Sequence, residues 1–410
     1  MVTTSYPRFP GDAVGTFMEP IATGLAAIGH RVHLVAPWTP CWQRAAMERG
    51  VAFHLYRYAP VRAMNTFGYA AGLRSDVRLR GSAVAAAPLA LAAGWTCTRR
   101  VARETSSALV HAHWVIPNGV IAAAAARRHP LVISLHGSDI FVAERHRLAG
   151  LAARRAFARA SWVTACSHDL RARALALGAR PDRMSIVPYG VDTERFAPSA
   201  EAREHVRARL GIPAGAPLVV AVGRLVEKKG FRYLIDAAAR LVRDFPELRL
   251  VVAGEGDLAA SLKARAEAAG LTASVLFPGV VSQEDVPGLL AAADLTAAPS
   301  VKDDAGNVDG LPNTVLEMMA SGTPIVATAA GGIGSVVTDS LTGRIVPERD
   351  PGALAEAMAD LLRHPSAAAS IGARARAAVC REHGWNRVAQ RFDDIYRHVT
   401  SPPGVRPSDA

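Results

Sequence analysis

Cysteine is scarce in this chain: four in 410 residues, Cys41, Cys97, Cys166 and Cys380, with no CxxC pair among them. That scatter argues against a disulfide framework or a thiolate zinc site and points to a reducing, cytoplasmic setting. Aromatic residues make up 6% of the chain and form no basic–aromatic motif, so nucleic acid is not an expected partner. The most apolar run, residues 83–95, is too short to span a bilayer and carries Pro88. Met1 is followed at once by polar "VTTSYPRFPGD", without the pattern of a secretory leader. No G-x-G-x-x-G with a following acid is present, which leaves a dinucleotide oxidoreductase unsupported. The acidic loop "KDDAGNVDG" fits neither an EF-hand nor a strong DxD, and no metal is expected there. Internal repeats and heptads are also missing.

What is present is a rhythm. Short apolar runs recur about every 25–30 residues, each followed by a helical pattern, as in βαβ units. The first half holds "VTTS", "RVHLVAP", "VAFHLY", "SALVHAHW", "LVISLHG", "SWVTACS" and "MSIVPYG". The second holds "PLVVAVG", "LRLVVAG", "SVLFPG", "DLTAAPS", "TPIVATA" and "GRIVPE". Strands covered on both faces read as continuous apolar runs, and most of these do. An α/β chain of two doubly wound parallel sheets follows, with domains at 1–194 and 195–383. An amphipathic helix over 384–400 carries Val388, Phe392, Ile395 and Tyr396 near one face. The Pro-rich tail 401–410 is expected to be disordered. The net charge of +11 suits anionic partners in general.

Open parallel sheets bind ligands at the carboxyl ends of their strands, so the residues just after each run carry most interest. Gly11 and Gly15 follow the first run at a βα turn, where free amides can meet a phosphate. His136 and Asp139 follow "LVISL", and Gly137 permits a tight turn. His111 and His113 share a strand face; without a third ligand, core packing is the better reading than metal. "VGRLVEKKGF" sets Arg224 and Lys229 around a loop as a candidate diphosphate clamp, with Glu227 and Lys228 as solvated neighbours. Gly254 and Gly256 bracket Glu255 one strand later, where small residues admit a base or ribose or simply make a turn. In "DGLPNTVLEMMASG", Pro312 suits a first helical turn, Asp309 lies before it and Glu317 more than one turn inside. Carboxylates accept hydrogen bonds from vicinal hydroxyls, so two at this interval can hold two sugars of one nucleotide-sugar.

Together and in this order, "TTSYPRFPGDAVGTF", "HAHWVIPNGV", "LHGSDI", "VPYGVDTERF", "VGRLVEKKGF", "VAGEGD", "DGLPNTVLEMMASGTPIVAT" and "WNRVAQRFDDIYRHV" resemble the retaining glycosyltransferases of family 4. The resemblance covers nearly the whole chain. It implies the GT-B fold: two Rossmann-like domains facing across a cleft, an acceptor-binding one first and a donor-binding one second, with the final helix packing back on the first. It implies roles for Asp309 at the transferred sugar, Glu317 at the nucleotide ribose, and Arg224 and Lys229 at the diphosphate. His136 matches the residue near the transferred sugar and Gly15 the glycine loop. Gly310, Leu311, Pro312 and Asn313 fall where the family holds sugar and phosphate, and Gly254, Glu255 and Gly256 join the donor side. His113 and Asp139 are acceptor-side candidates.

Three departures stand out. Asp309 replaces the first Glu of the family's Glu-x7-Glu pattern. "GGIGSVV" replaces Gly-Gly-x-Pro-Glu, so that Glu's contacts do not carry over to Ser335. The first strand is short, which implies a late start or a frayed sheet edge. The implied activity is metal-independent, retaining transfer of a hexose from a UDP- or GDP-linked donor to a hydroxyl acceptor, without a further cofactor. Cell-surface polysaccharide, glycolipid or glycosylated natural product are the implied settings. Alternatives are a GT-B nucleotide-sugar epimerase and a non-catalytic nucleotide-binding protein. The basic stretch 73–103 either rests on a membrane surface, reaching a lipid-linked acceptor, or forms a helical hairpin.

Overall fold

The computed structural model describes residues 1–401 apart from 13, 60, 62–64, 66, 70–72, 76, 77, 80, 214 and 305. The expected tail, from 402 on, lies outside the described residues. Two compact units emerge: Met1–Tyr189 together with Trp385–Ala410, and Gly190–Gly384.

The second unit is built on six parallel strands, each matching one of the expected runs. Across the sheet they run Val275–Leu276, Arg249–Ala253, Leu218–Val222, Leu295–Ala298, Ile325–Thr328 and Arg344–Val346. In chain order this is 3-2-1-4-5-6, the doubly wound arrangement, whose direction reverses between Leu218–Val222 and Leu295–Ala298. Leu218, Val219, Val220 and Ala221 are all buried, because helices cover both faces. Helix Phe231–Leu241 turns Phe231, Leu234, Ile235, Ala238 and Leu241 into that core. Helix Pro351–Arg363 packs beside it; Asp350 caps it by accepting from the Gly352 and Ala353 amides, and Pro351 opens its first turn.

The divide falls five residues ahead of the expected Arg195. Hydrogen bonds give the reason: the segment after Tyr189 is tied to the second unit. The Val191 amide donates to the His383 carbonyl at 2.8 Å, and Arg376 donates to the carbonyls of Thr193 and Phe196 at 3.1 and 2.8 Å.

The first unit also has a reversed parallel order. Val51–Tyr56 pairs with Val32–Pro37, and Val110–His113, Leu131–Leu135, Trp162–Ala165 and Met184–Ile186 follow one another. Val2 bridges Val35 on one side and Ala112 on the other, joining the two ladders through one residue. The short first run is therefore a central segment, not a frayed edge. Its shortness is compensated by four backbone bonds of 2.8–3.0 Å from residues 1–3 to His111, His113 and Val35.

Helix Trp385–Thr400 belongs to this unit and packs on helix Met18–Ala27 through Val388, Phe392, Ile395 and Tyr396, all buried. The stretch expected as a helical hairpin is instead a short antiparallel pair, Leu73–Ser75 with Arg78–Leu79, followed by one long helix, Gly81–Glu104. The Ala-rich run, of high helix propensity, forms the long helix. Among the described residues no helix is long and apolar enough to cross a membrane.

Candidate functional site

Two loops meet at the reversal point of the second sheet. One follows Leu218–Val222 and ends in the short turn Glu227–Lys229; the other follows Leu295–Ala298 and leads to helix Asn313–Ala320. Gly230 joins the first loop to its helix at φ +66, where a Cβ would lie 1.8 Å from the Pro299 carbonyl oxygen. Only glycine lets the two loops come this close.

Asp309 sits between two ammonium groups. Its Oδ1 lies 2.9 Å from Lys228 Nζ and its Oδ2 2.6 Å from Lys229 Nζ, with all three side chains no more than 15% exposed. Burial alone would raise this carboxyl, but Lys229 and Lys228 hold it well below the usual carboxylate range. Lys228, expected to be solvated, is thus a buried partner of the acid. The reason is the tight turn before Gly230, which directs both consecutive lysines inward.

Glu317 lies one helix away, half-buried, and burial pushes its carboxyl up to about 7 against the weaker pull of Arg195 and Lys229. Helix Asn313–Ala320 starts after Pro312, which occupies the N-cap with φ −68 and ψ 122 rather than the first turn. The buried Asn313 Oδ1 has no hydrogen-bond partner among the described residues. Arg224 is exposed on the same loop as Lys229.

Gly254 and Gly256 pack on the backbone of the first loop; a Cβ on them would meet the carbonyl oxygens of Gly223 and Leu225 at 1.9 and 2.4 Å. Close backbone packing is their immediate task, while Glu255 between them is exposed. Ser335 closes its own turn, with Oγ donating to the Gly332 carbonyl at 2.5 Å. In the acidic loop, Asp303 binds Asn307 and Asp304 pairs with Arg349. No group of three or more candidate metal ligands occurs among the described residues. A hollow of about 480 Å³ lies instead at the amino ends of these strands, beside Pro217, Asp294 and Pro324, remote from the carboxyl-end chemistry.

The first unit gathers its own polar residues at its carboxyl ends. His136 stacks on Tyr189 with rings 2° apart, and lies 4.6 Å from Trp114 and 4.8 Å from Phe17 between ring centroids. Its Nδ1 is 2.7 Å from the Tyr189 hydroxyl and its Nε2 is 3.1 Å from His113 Nδ1. Burial lowers its pKa to about 3, so the ring is neutral at ordinary pH. Trp114 holds φ +67, a strained conformation for an L residue, beside this ring. His113 is fully buried behind His136, more a core support of that ring than a surface residue. His111 joins Tyr396 at 2.6 Å and Ser134 at 2.7 Å, a core network linking the last helix to the sheet.

Asp139 is spent on the backbone: it accepts from the amides of Val115 at 2.8 Å, Gly137 at 3.0 Å and His136 at 3.3 Å. That fixes the loop carrying His136. Gly15 completes the turn ahead of helix Met18–Ala27 at φ +69, where a Cβ would lie 3.0 Å from that of Ser5. The sequence pattern sets Lys228 in solvent and assigns Tyr189 no role. The one local signal for Lys228 is the doubled lysine before a glycine; "VPYGVD" holds none for Tyr189.

Solved structures share this fold. HepE of Anabaena, crystallised with UDP, is 20% identical, covers 96% of this chain and 97% of its own, and superposes with a TM-score of 0.75. Sucrose-phosphate synthase of Thermosynechococcus elongatus gives 0.76 at 20% identity, covering 93% and 92%. The fold is that of the GT-B glycosyltransferases.

Residues 14–195 match the model described as Glycosyltransferase Family 4, and residues 202–378 the model described as Glycosyl transferases group 1. A GDP-mannose-dependent α-(1-6)-phosphatidylinositol monomannoside mannosyltransferase of Mycolicibacterium smegmatis is 34% identical over 273 residues, 66% of this chain and 70% of the relative. A D-inositol 3-phosphate glycosyltransferase of Xylanimonas cellulosilytica is 36% identical over 231 residues, about half of either chain. The chain belongs to the family 4, group 1 glycosyltransferases.

Proposed function

We propose that the protein transfers a hexose from a nucleoside-diphosphate sugar to a hydroxyl acceptor, with retention at the anomeric carbon and without a metal. The observation that carries this is the buried Asp309 between Lys228 and Lys229 at the sheet reversal, one helix from Glu317.

Departure of the diphosphate develops negative charge. Lys229, Arg224 and the amides opening helix Asn313–Ala320 are the groups that stabilise it, in place of a cation. Asp309 accepts from hydroxyls of the transferred sugar and Glu317 from the ribose. The Gly310–Asn313 segment supplies backbone groups to sugar and phosphate, Pro312 only its carbonyl. The acceptor oxygen bonds to the anomeric carbon on the face from which the phosphate oxygen leaves, and the acceptor proton passes to that leaving oxygen. His136, which the resemblance assigns to the transferred sugar, contributes a neutral ring held by His113 and Tyr189.

A thermal-shift panel of UDP, GDP, ADP and their sugars tests the donor reading. A ligand at 100 times its Kd stabilises by about 2.7 kcal/mol, a visible rise in melting point. Turnover that survives EDTA supports a metal-free site; turnover abolished by EDTA and restored by a divalent cation refutes it. The mannosyltransferase relative supports GDP-mannose as the first donor to try, and a phosphatidylinositol-type acceptor at a membrane face. Half-exposed Trp95 and exposed Leu89 on helix Gly81–Glu104, with Arg99 over the Trp95 ring, favour such a contact.

Glu317 gives this reading a pH signature. Its folded pKa is raised, so the native state binds the extra proton between the ordinary carboxyl value and about 7, and stability falls as pH rises through that window. The group is expected to cost about 2–3 kcal/mol at pH 8 relative to pH 5. Because ribose hydroxyls need the ionised acid as acceptor, nucleotide binding releases a proton near pH 6.5. Calorimetry in buffers of different ionisation enthalpy reads this release, and Glu317→Gln removes it; unchanged proton release in that variant would refute the ribose assignment.

A further inference from the structure

The two lysines on Asp309 are not equivalent. Lys229 is the one that also acts electrostatically on Glu317, toward the side where Arg195 lies. Lys228 is anchored the other way: its carbonyl accepts the Val301 amide at 2.8 Å, from the very loop that carries Asp309. Lys229 is thus the lysine whose charge also reaches Glu317, while the backbone at Lys228 is stitched to the acid's own loop. Each takes a different carboxylate oxygen, Lys228 at Oδ1 and Lys229 at Oδ2.

We propose that Lys229 leaves Asp309 for the donor diphosphate while Lys228 stays, a positioning residue that keeps the Asp309 carboxylate ionised and aimed at the transferred sugar. This rests on the reading that Lys229 meets the diphosphate and Asp309 the sugar. The charges favour the exchange. Two ammonium groups around one carboxylate leave an excess positive charge in a largely buried place, and a diphosphate neutralises it. With a single lysine, the arriving diphosphate would strip the acid of its only partner, and a buried unpaired carboxylate takes up a proton.

The groups facing Asp309 set the expected pH behaviour. Lys228 and Lys229 reach it from the Glu227–Lys229 turn, and the charges of Lys229 and Arg195 act in turn on Glu317. Asp303 and Asp304 of its own loop are engaged by Asn307 and Arg349. The Gly331–Ser335 turn packed on its backbone brings no titratable side chain. Removing Lys228 therefore exposes Asp309 to protonation chiefly when the donor is bound.

The test follows release of nucleoside diphosphate from GDP-mannose and UDP-glucose in the presence of a phosphatidylinositol-type acceptor, using whichever donor is turned over, in Lys228→Ala, Lys228→Gln, Lys228→Arg and Lys229→Ala. The neutral Lys228 variants are expected to lose about 10–100-fold in kcat with KM for the donor and the affinity for free UDP or GDP nearly unchanged. Their kcat should gain an acid limb between pH 5 and 8 that the wild type lacks, and Lys228→Arg should restore most of the activity. In an Asp309→Asn background, Lys228→Gln should have no further effect. Wild-type kcat and a flat profile in Lys228→Gln, with Lys229→Ala inactive, would overturn the division of labour alone. Loss of nucleotide affinity in Lys228→Gln would overturn it too, by making Lys228 a phosphate ligand. Wild-type turnover in Lys229→Ala would instead sink the underlying assignment of the diphosphate.

Discussion

Lys229→Ala is expected to lower transfer by about 10³-fold or more while the protein stays folded. On the proposed reading the ammonium stands where charge develops as the diphosphate leaves, 2.6 Å from Asp309 and acting on Glu317 as well. The loss should appear in kcat/KM and in nucleotide affinity together, since the diphosphate is bound before and after the bond breaks. Folding should survive because Lys228 still neutralises the buried acid at 2.9 Å. A buried carboxylate losing its last partner would cost about 3–5 kcal/mol; one losing the second of two costs less. Activity measured beside circular dichroism and melting point separates the two effects.

Gly230→Ala carries the largest expected effect on stability. The residue adopts φ +66 between Lys229 and helix Phe231–Leu241, and a Cβ there would stand 1.8 Å from the Pro299 carbonyl oxygen. The left-handed conformation alone costs an alanine about 1–2 kcal/mol. The collision must in addition push apart the two loops that carry Lys229 and Asp309, for a total of about 3–5 kcal/mol. Gly211→Ala is the control, with φ +64 but nothing within 4 Å of its Cβ. It should lose only the conformational share, about 1 kcal/mol, and keep its activity. Equal melting points for the two variants would show that loop contact is not what Gly230 protects.

Much of this was legible in the residues. Continuous apolar runs such as "PLVVAVG" and "TPIVATA" are strands because both faces of each sheet are covered, and the sequence pattern follows directly. The pairing of Asp309 with Lys229 joins residues 80 positions apart, and no local pattern reveals it. Motif order brought both residues to attention, but topology alone put them in contact. Lys228 was misjudged because solvent is the ordinary place for a loop lysine; the turn geometry before Gly230 overrides that prior. Asp139 looked like a site residue from its position after a strand. Its oxygens turn back to the Val115, His136 and Gly137 amides, a choice set by loop geometry that spacing does not encode. The bridge at Val2 was invisible for a similar reason, since a single residue carries no periodicity.

The central claim is most directly tested by proton NMR of the protein incubated with a phosphatidylinositol-type acceptor and GDP-mannose or, separately, UDP-glucose. Release of nucleoside diphosphate together with an α-linked glycoside of the acceptor is the expected result. Binding of donor and acceptor without release of diphosphate from either donor, or a β-linked product, would contradict it.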